Sequence, residues 1–274
     1  MSAKEPIELA PSSTWSLSYD QEACRLSRSF GEGEGQVLLT LSRFAPGTSI
    51  EVLAAGHPLK SNGATRLGYA LDPQDERVVD RPVFGETQNG ATIWQFSTDL
   101  IPEKAAEKLR KEGAVRADFR KVEADLAGEI TSFSVTRGVR QPVRLRTGRL
   151  SAAMSAMDTC LDDLVESWGF DLAEQGTIAQ GPTPASSPEK WINHRDYPSD
   201  ALRKDMAGMV RFRLAVSPEG RVTGCTIQSD HSHPDFPKAV CDAFTRDGRF
   251  DPAVTVTGKP VASYWSNTVL FVPR

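Results

Sequence analysis

From Gly208 to Val216 the chain alternates without interruption. Val210, Phe212, Leu214 and Val216 fall on one side, Arg211 and Arg213 on the other. A period of two puts successive side chains on opposite faces of a pleated strand, so the run predicts a strand with one buried face. Ser217-Pro218-Glu219-Gly220 follows as a turn, because Pro presets φ at the second position and Gly accepts positive φ near the end. So short a connection returns the chain antiparallel, which predicts a second strand from Arg221 to Ser229 paired with the first.

The neighbouring segments are equally constrained. Asp200-Ala201-Leu202-Arg203-Lys204 reads as helical, ahead of the hairpin. Phe236, Val240 and Phe244 recur at i, i+4 and i+8, with Asp235 placed as N-cap and Gly248 as the stop, so Phe236 to Asp247 is expected as a helix laid on the sheet. Arg249-Phe250-Asp251-Pro252-Ala253 leaves that helix, Gly258-Lys259-Pro260 turns the chain, and Val261 to Val272 is expected as a long final strand with Tyr264 and Leu270 facing outward. The result is a three-stranded antiparallel sheet packed by helices. A strand at the edge of such a sheet presents unpaired N–H and C=O groups to an extended peptide. No Lys or Arg interrupts Val261 to Val272. Pairing of the same edge with the first domain or with a second copy of the chain is the alternative use of those groups.

The string Tyr197-Pro198, Ala201, Gly208, Val210, Val216, Gly220-Arg221-Val222, Phe250 with Pro252-Ala253, and Gly258-Lys259-Pro260-Val261 resembles the C-terminal domain of TonB-type energy transducers, in order and spacing. The resemblance covers residues 191–274, under a third of the chain. It implies a periplasmic domain that contacts outer-membrane transporters and receives their TonB box by strand addition. On that basis Tyr197, Pro198, Val261, Tyr264, Asn267 and Val269 are the candidate peptide-binding residues. Where many relatives carry Ser-Ser-Gly and then Leu-Asp, this chain has Ser229-Asp230-His231-Ser232-His233-Pro234-Asp235-Phe236-Pro237, which predicts a reshaped loop.

The four cysteines, Cys24, Cys160, Cys225 and Cys241, allow three pairings. Cys225 shares a strand face with Ile227, and Cys241 lies on the helix that covers that face, so the two are expected to meet. Cysteine pairs at these places also occur in TonB-type domains. Two buried thiols packing as small apolar groups are the alternative. Cys24 and Cys160 are then left for each other. Disulfides persist mainly in oxidising compartments, which favours a secreted, periplasmic protein over a cytoplasmic one. The start Met1-Ser2-Ala3-Lys4-Glu5-Pro6 has no apolar h-region, so a leader absent from this sequence is expected. No window reaches the roughly 18 apolar residues of a membrane helix. A net charge of −4 and a pI near 5.7 argue against nucleic acid or an anionic membrane as the main partner.

At 274 residues two domains are the default, and the fold class is α+β. Residues 1–172 read as a β-rich domain with a long closing helix. Trp15 to Tyr19, Val37 to Ser42, Ser49 to Ala54, Ala91 to Phe96, Gly128 to Thr136 and Gln141 to Arg146 are strand-like. Pro102 to Glu112 is expected as a surface helix, and Leu150 to Trp168 as a long helix whose Met154, Met157, Leu161, Leu164, Val165 and Trp168 form a core stripe. Trp15, Cys24-Arg25-Leu26-Ser27-Arg28, Phe30-Gly31, Thr147-Gly148, Cys160, Asp162-Asp163-Leu164 and Trp168-Gly169 resemble the N-terminal region of secreted sphingomonad-type proteins that end in a TonB-like module, which also implies the Cys24–Cys160 pairing. Residues 173–190, centred on Gly181-Pro182-Thr183-Pro184-Ala185-Ser186-Ser187-Pro188, read as a solvated linker. The 191–274 module completes the layout.

Chemistry-bearing patterns are sparse. Gly31-Glu32-Gly33-Glu34-Gly35 is acidic and precedes no helix, so it reads as a hairpin loop and not as a phosphate cradle. No Gly-x-Ser-x-Gly or His-Glu-x-x-His motif occurs, and no catalytic residue, metal ligand or cofactor is assigned. Asp230, His231, His233 and Asp235, with His194 if the fold brought it near, have the donor types of a transition-metal site. The ordinary reading is a solvated loop. Asp162 and Asp163 beside Glu166 read as the water-facing side of a helix. The expected function is protein binding by strand addition. The alternatives are an envelope scaffold or assembly protein without energy coupling, for which the short linker and missing anchor speak, and a metal-binding enzyme.

Overall fold

The computed structural model describes residues 4–231 and 234–273. Its helices and strands make an α+β architecture in two compact units: Met1–Glu112 with Ala117–Asp163, and Gly113–Arg116 with Leu164–Arg274. The division falls inside the long helix expected to close the first domain, ahead of residue 172.

The first unit opens with nine strands: β1 (Ile7–Leu9), β2 (Ser16–Asp20), β3 (Ala23–Phe30), β4 (Val37–Arg43), β5 (Ser49–Gly56), β6 (Leu67–Asp72), β7 (Arg77–Val79), β8 (Val83–Glu86) and β9 (Thr92–Asp99). Helices α1 (Glu103–Lys111) and α2 (Arg116–Glu129) follow, then β10 (Ser132–Arg137), β11 (Val143–Leu145) and α3 (Ser151–Ser167). One sheet has the order β2-β3-β4-β5-β9-β8, the other β1-β11-β10-β6-β7. Their apolar faces meet through Phe96 of the first and Tyr69 and Phe133 of the second, with ring centroids 4.7 and 6.5 Å from Phe96. Gly31 to Gly35 lies in the β3–β4 hairpin connection, as its composition predicts.

Helix α2 is a correction to the sequence reading, which placed a strand from Gly128. Its buried positions are Glu123 and Ala127, so no apolar stripe announces it. Glu123 is buried because Arg43 of β4 is buried with it: the two side chains form an ion pair, and Asp158 of α3 lies 3.5 Å from the same guanidinium. Burial pushes the Glu123 carboxyl above its ordinary range, with Arg43 pulling the other way. Beside this cluster Cys24 of β3 and Cys160 of α3 form a disulfide, Cα to Cα 6.1 Å.

The second unit contains α4 (Leu172–Gly176), β12 (Ile178–Gln180), β13 (Thr183–Pro184), α5 (Ser199–Arg203), β14 (Gly208–Val216), β15 (Val222–His231), α6 (Asp235–Asp247), β16 (Phe250–Asp251), β17 (Ala253–Thr255), β18 (Pro260–Val261) and β19 (Ser263–Phe271). Strands β15, β14 and β19 form the three-stranded antiparallel sheet with β14 in the centre. Val210, Phe212, Leu214 and Val216 turn into an aromatic core with Trp191, Phe236, Phe244, Phe250 and Phe271. Phe212 and Phe244 lie 4.5 Å apart, Phe236 and Phe271 4.2 Å. Cys225 and Cys241 are bonded, tying β15 to α6. The N-cap of α6 is Pro234, not Asp235, and Gly248 ends it with its N–H on the Phe244 carbonyl at 2.9 Å.

Two readings of this unit are corrected. Residues 173–190 are not a solvated spacer: β12 pairs with β17, β13 pairs with β16, and Ala185 N–H donates to Arg249 O at 2.9 Å. Each strand is only two or three residues long, and Pro184 occupies a position in the shorter one, where a missing N–H is tolerated. The final strand does not begin at Val261. Val261 belongs to β18, pairs with Ala253 and is 2% exposed, while β19 runs from Ser263 to Phe271.

Candidate peptide-binding edge

Strand β19 pairs with β14 through nine consecutive residues, Ser263↔Val216 to Phe271↔Gly208, without a register shift. No described strand lies on its other side. Main-chain groups in a strand point alternately to its two flanks, and two bonds identify the outward set. The Thr268 N–H is taken by the Asn267 Oδ1 at 2.8 Å, and the Ala262 carbonyl accepts the Gln175 Nε2 at 2.8 Å. Even-numbered positions therefore face away from β14, which gives Ser266, Thr268 and Leu270 as the edge over its second half. The start of the strand is covered by α4, where Gln175, 5% exposed, also accepts the Ser263 hydroxyl at 2.7 Å. Lys259 Nζ meets Glu174 2.9 Å away.

The two faces flanking this edge differ. On the core face Trp265 and Val269 pack partly buried against the aromatic cluster, and Asn267 lies between them opposite Phe212. On the other face Leu270 is 67% exposed. Tyr264, expected outward as well, is packed by Trp168 and Phe170 at 5.2 and 5.6 Å. Trp168 also covers Arg213, whose guanidinium lies 4.0 Å from the indole centroid, which makes a cation–π contact and leaves Arg213 only 6% exposed. An arginine from the polar phase of an alternating strand is thus buried by an aromatic ring from the end of α3.

The sequence-predicted residues separate accordingly. Tyr264, Asn267 and Val269 lie on β19, with Tyr264 on the face opposite the other two. Tyr197 serves the core: its hydroxyl donates to Met206 O at 2.6 Å and its ring packs edge-on to Phe236 and Phe271. Pro198 caps α5. Val261 is outside the edge. Gln175, which has no role in the sequence reading, and Trp168, read there as part of the core stripe of the long helix, limit the edge and cover one face. Their only sequence signal is a polar and an aromatic residue near the end of the long helical stretch.

His233 lies outside the described residues, as do the side chains of Asp230 and His231. Among the described residues no group of three or more His, Cys, Asp or Glu is placed to hold a metal ion, and no helix is long and apolar enough to cross a membrane. Asp162 is not a solvated acid: Arg120 of α2 meets it at 2.7 Å.

Residues 193–273 match the family described as the Gram-negative bacterial TonB protein C-terminal. No curated protein matches the chain.

Proposed function

We propose that this is a periplasmic protein-interaction module of the TonB C-terminal type, which takes an extended peptide, the TonB box of an outer-membrane transporter, by strand addition to β19. The observation that carries the reading is the regular nine-residue ladder of β19 with no described strand on its outer flank. Main-chain groups of Ser266 to Leu270 supply affinity, and the core-facing and outward-facing side chains of β19 supply specificity. The match over residues 193–273 supports the class of partner, and the two disulfides fit an oxidising compartment.

The test is a titration of the isotope-labelled full chain with a synthetic TonB-box peptide, read by amide shifts. Shifts concentrated at Ser266 to Leu270 are expected. A saturable shift pattern elsewhere, or none, overturns the proposal.

A second reading, an envelope assembly protein without energy coupling, draws on one observation: residues 178–184, just ahead of the matched region, pair with its strands and do not form a long reach. A photo-crosslinker at Ser266 in cells separates the two. Capture of transporter N-terminal segments supports the first reading, and capture of only other envelope proteins supports the second.

A further inference from the structure

Within the first unit, Arg28 of β3, Arg144 of β11 and Arg146 just past β11 bring three guanidinium groups to one open cavity of about 460 Å³, with Glu8 of β1 on its wall. The parallel pairing of β1 with β11 sets Glu8 beside Arg144. Glu8 then bridges Arg144 and Arg146, at 3.1 and 3.3 Å, and Asp72 lies 3.5 Å from Arg144. Two carboxylates thus compensate two arginines.

Arg28 is the third, and among the described residues it has no carboxylate partner. Its Nε donates to Ser13 O and its Nη1 to Thr147 O, each at 2.8 Å. Among the described residues its Nη2 has no protein acceptor. The side chain is half-buried, with the rings of Trp15 and Phe30 each 5.8 Å from the guanidinium carbon, and desolvation draws its pKa down. Carbonyl dipoles orient this cation without neutralising it. Arg146 likewise uses only Nε on Glu8, which leaves its terminal nitrogens available to the same cavity.

A half-buried guanidinium without a counter-ion, held in place by two carbonyls on the wall of a cavity, is an anion receptor. Guanidinium groups favour carboxylate and phosphate because their N–H pairs match the spacing of two oxygens. The volume lies within the range of small-molecule sites. We propose that this cavity binds the anionic oxygen group, carboxylate or phosphate, of a sugar-sized molecule, with Arg28 as the principal contact and Arg146 as the second. The first unit is then a ligand-binding domain in its own right, independent of strand addition at β19.

The experiment is calorimetric titration of the full chain at low ionic strength with two probes, glucuronate and inorganic phosphate. The wild-type protein is expected to bind at least one with a single-site isotherm. The arm that responds more strongly identifies the anion class. Arg28→Gln is expected to weaken that binding at least tenfold, and Arg146→Gln by a smaller factor. Arg25→Gln, on the same strand but outside the cavity, should leave it unchanged. Circular dichroism melts on each variant identify any that fail to fold. If Arg28→Gln unfolds the protein, Arg146→Gln, on an exposed side chain, carries the test. Absence of binding by both probes to wild type, or binding unaffected by the folded variants, overturns the proposal.

Discussion

The central sheet of the second unit has two edges, built differently. On β15 the ladder with β14 shifts register twice, between Arg211 and Phe212 and between Ala215 and Val216, and the strand is covalently tied to α6 by Cys225–Cys241. On β19 the ladder is regular throughout and no disulfide holds it. Bulges bend and twist a strand, which is a common way to keep an edge from pairing with another chain. The same three strands therefore carry one bulged edge and one straight edge, the straight one being the edge proposed for strand addition. Which strands lie at the sheet margin is a matter of topology. How straight each margin runs is set locally, by the bulges of its own strand.

Four variants break or sharpen this contrast. Gly220 closes the β14–β15 turn at φ 74°, and a Cβ there would lie 1.8 Å from the Phe250 carbonyl oxygen. Gly220→Ala is expected to cost about 3 kcal/mol or more, from left-handed strain and the clash together, read as a fall in the denaturant midpoint of the second unit. Removing the bridge with Cys225→Ser and Cys241→Ser is expected to cost about 3 kcal/mol in the chain-entropy model for a loop of this length. Peptide binding at β19 should nevertheless survive wherever the double variant is folded, and a loss of binding there would show that the two edges are not independent. Ser266→Pro keeps the outward position but removes its N–H and adds a ring to the edge. Proline is tolerated at such sites, so the melting temperature should change little while peptide affinity falls at least tenfold, about 1.4 kcal/mol. The smallest effect is expected from Asn267→Ala. It frees the Thr268 N–H for an incoming carbonyl, so affinity should rise about threefold, in line with one modest hydrogen bond. A fall instead would mean that Asn267 contacts the peptide directly.

Much of this unit was legible in the sequence. The period-two run placed β14 at its observed bounds, the Pro-Gly turn placed the hairpin, and the apolar residues at i, i+4 and i+8 placed α6. The Cys225–Cys241 pairing followed from the faces those elements present. Three of the failures share a physical cause, burial achieved by polar side chains. Helix α2 buries Glu123 against Arg43, Arg213 is covered by Trp168, and Gln175 bonds the chain on either side of the Ala262–Ser263 link. Hydrophobic periodicity cannot register such contacts, because they depend on a partner distant in sequence. Of the candidate edge, β19 itself was readable. Its true start at Ser263 and the Asn267 cap on Thr268 were not, since both are set by local bonds between main chain and side chain.

The pairing of β12 and β13 with β17 and β16 bears on how this part of the protein can be isolated. A fragment cut at residue 191, where the family resemblance begins, would lose Gln175, both short strands and the indole over Arg213 at one stroke. It would carry a newly bared β17 margin and an unshielded Tyr264 into solution, both prone to self-association. Beginning the fragment at Leu164 retains all of these, since the compact unit reaches further forward than the matched stretch.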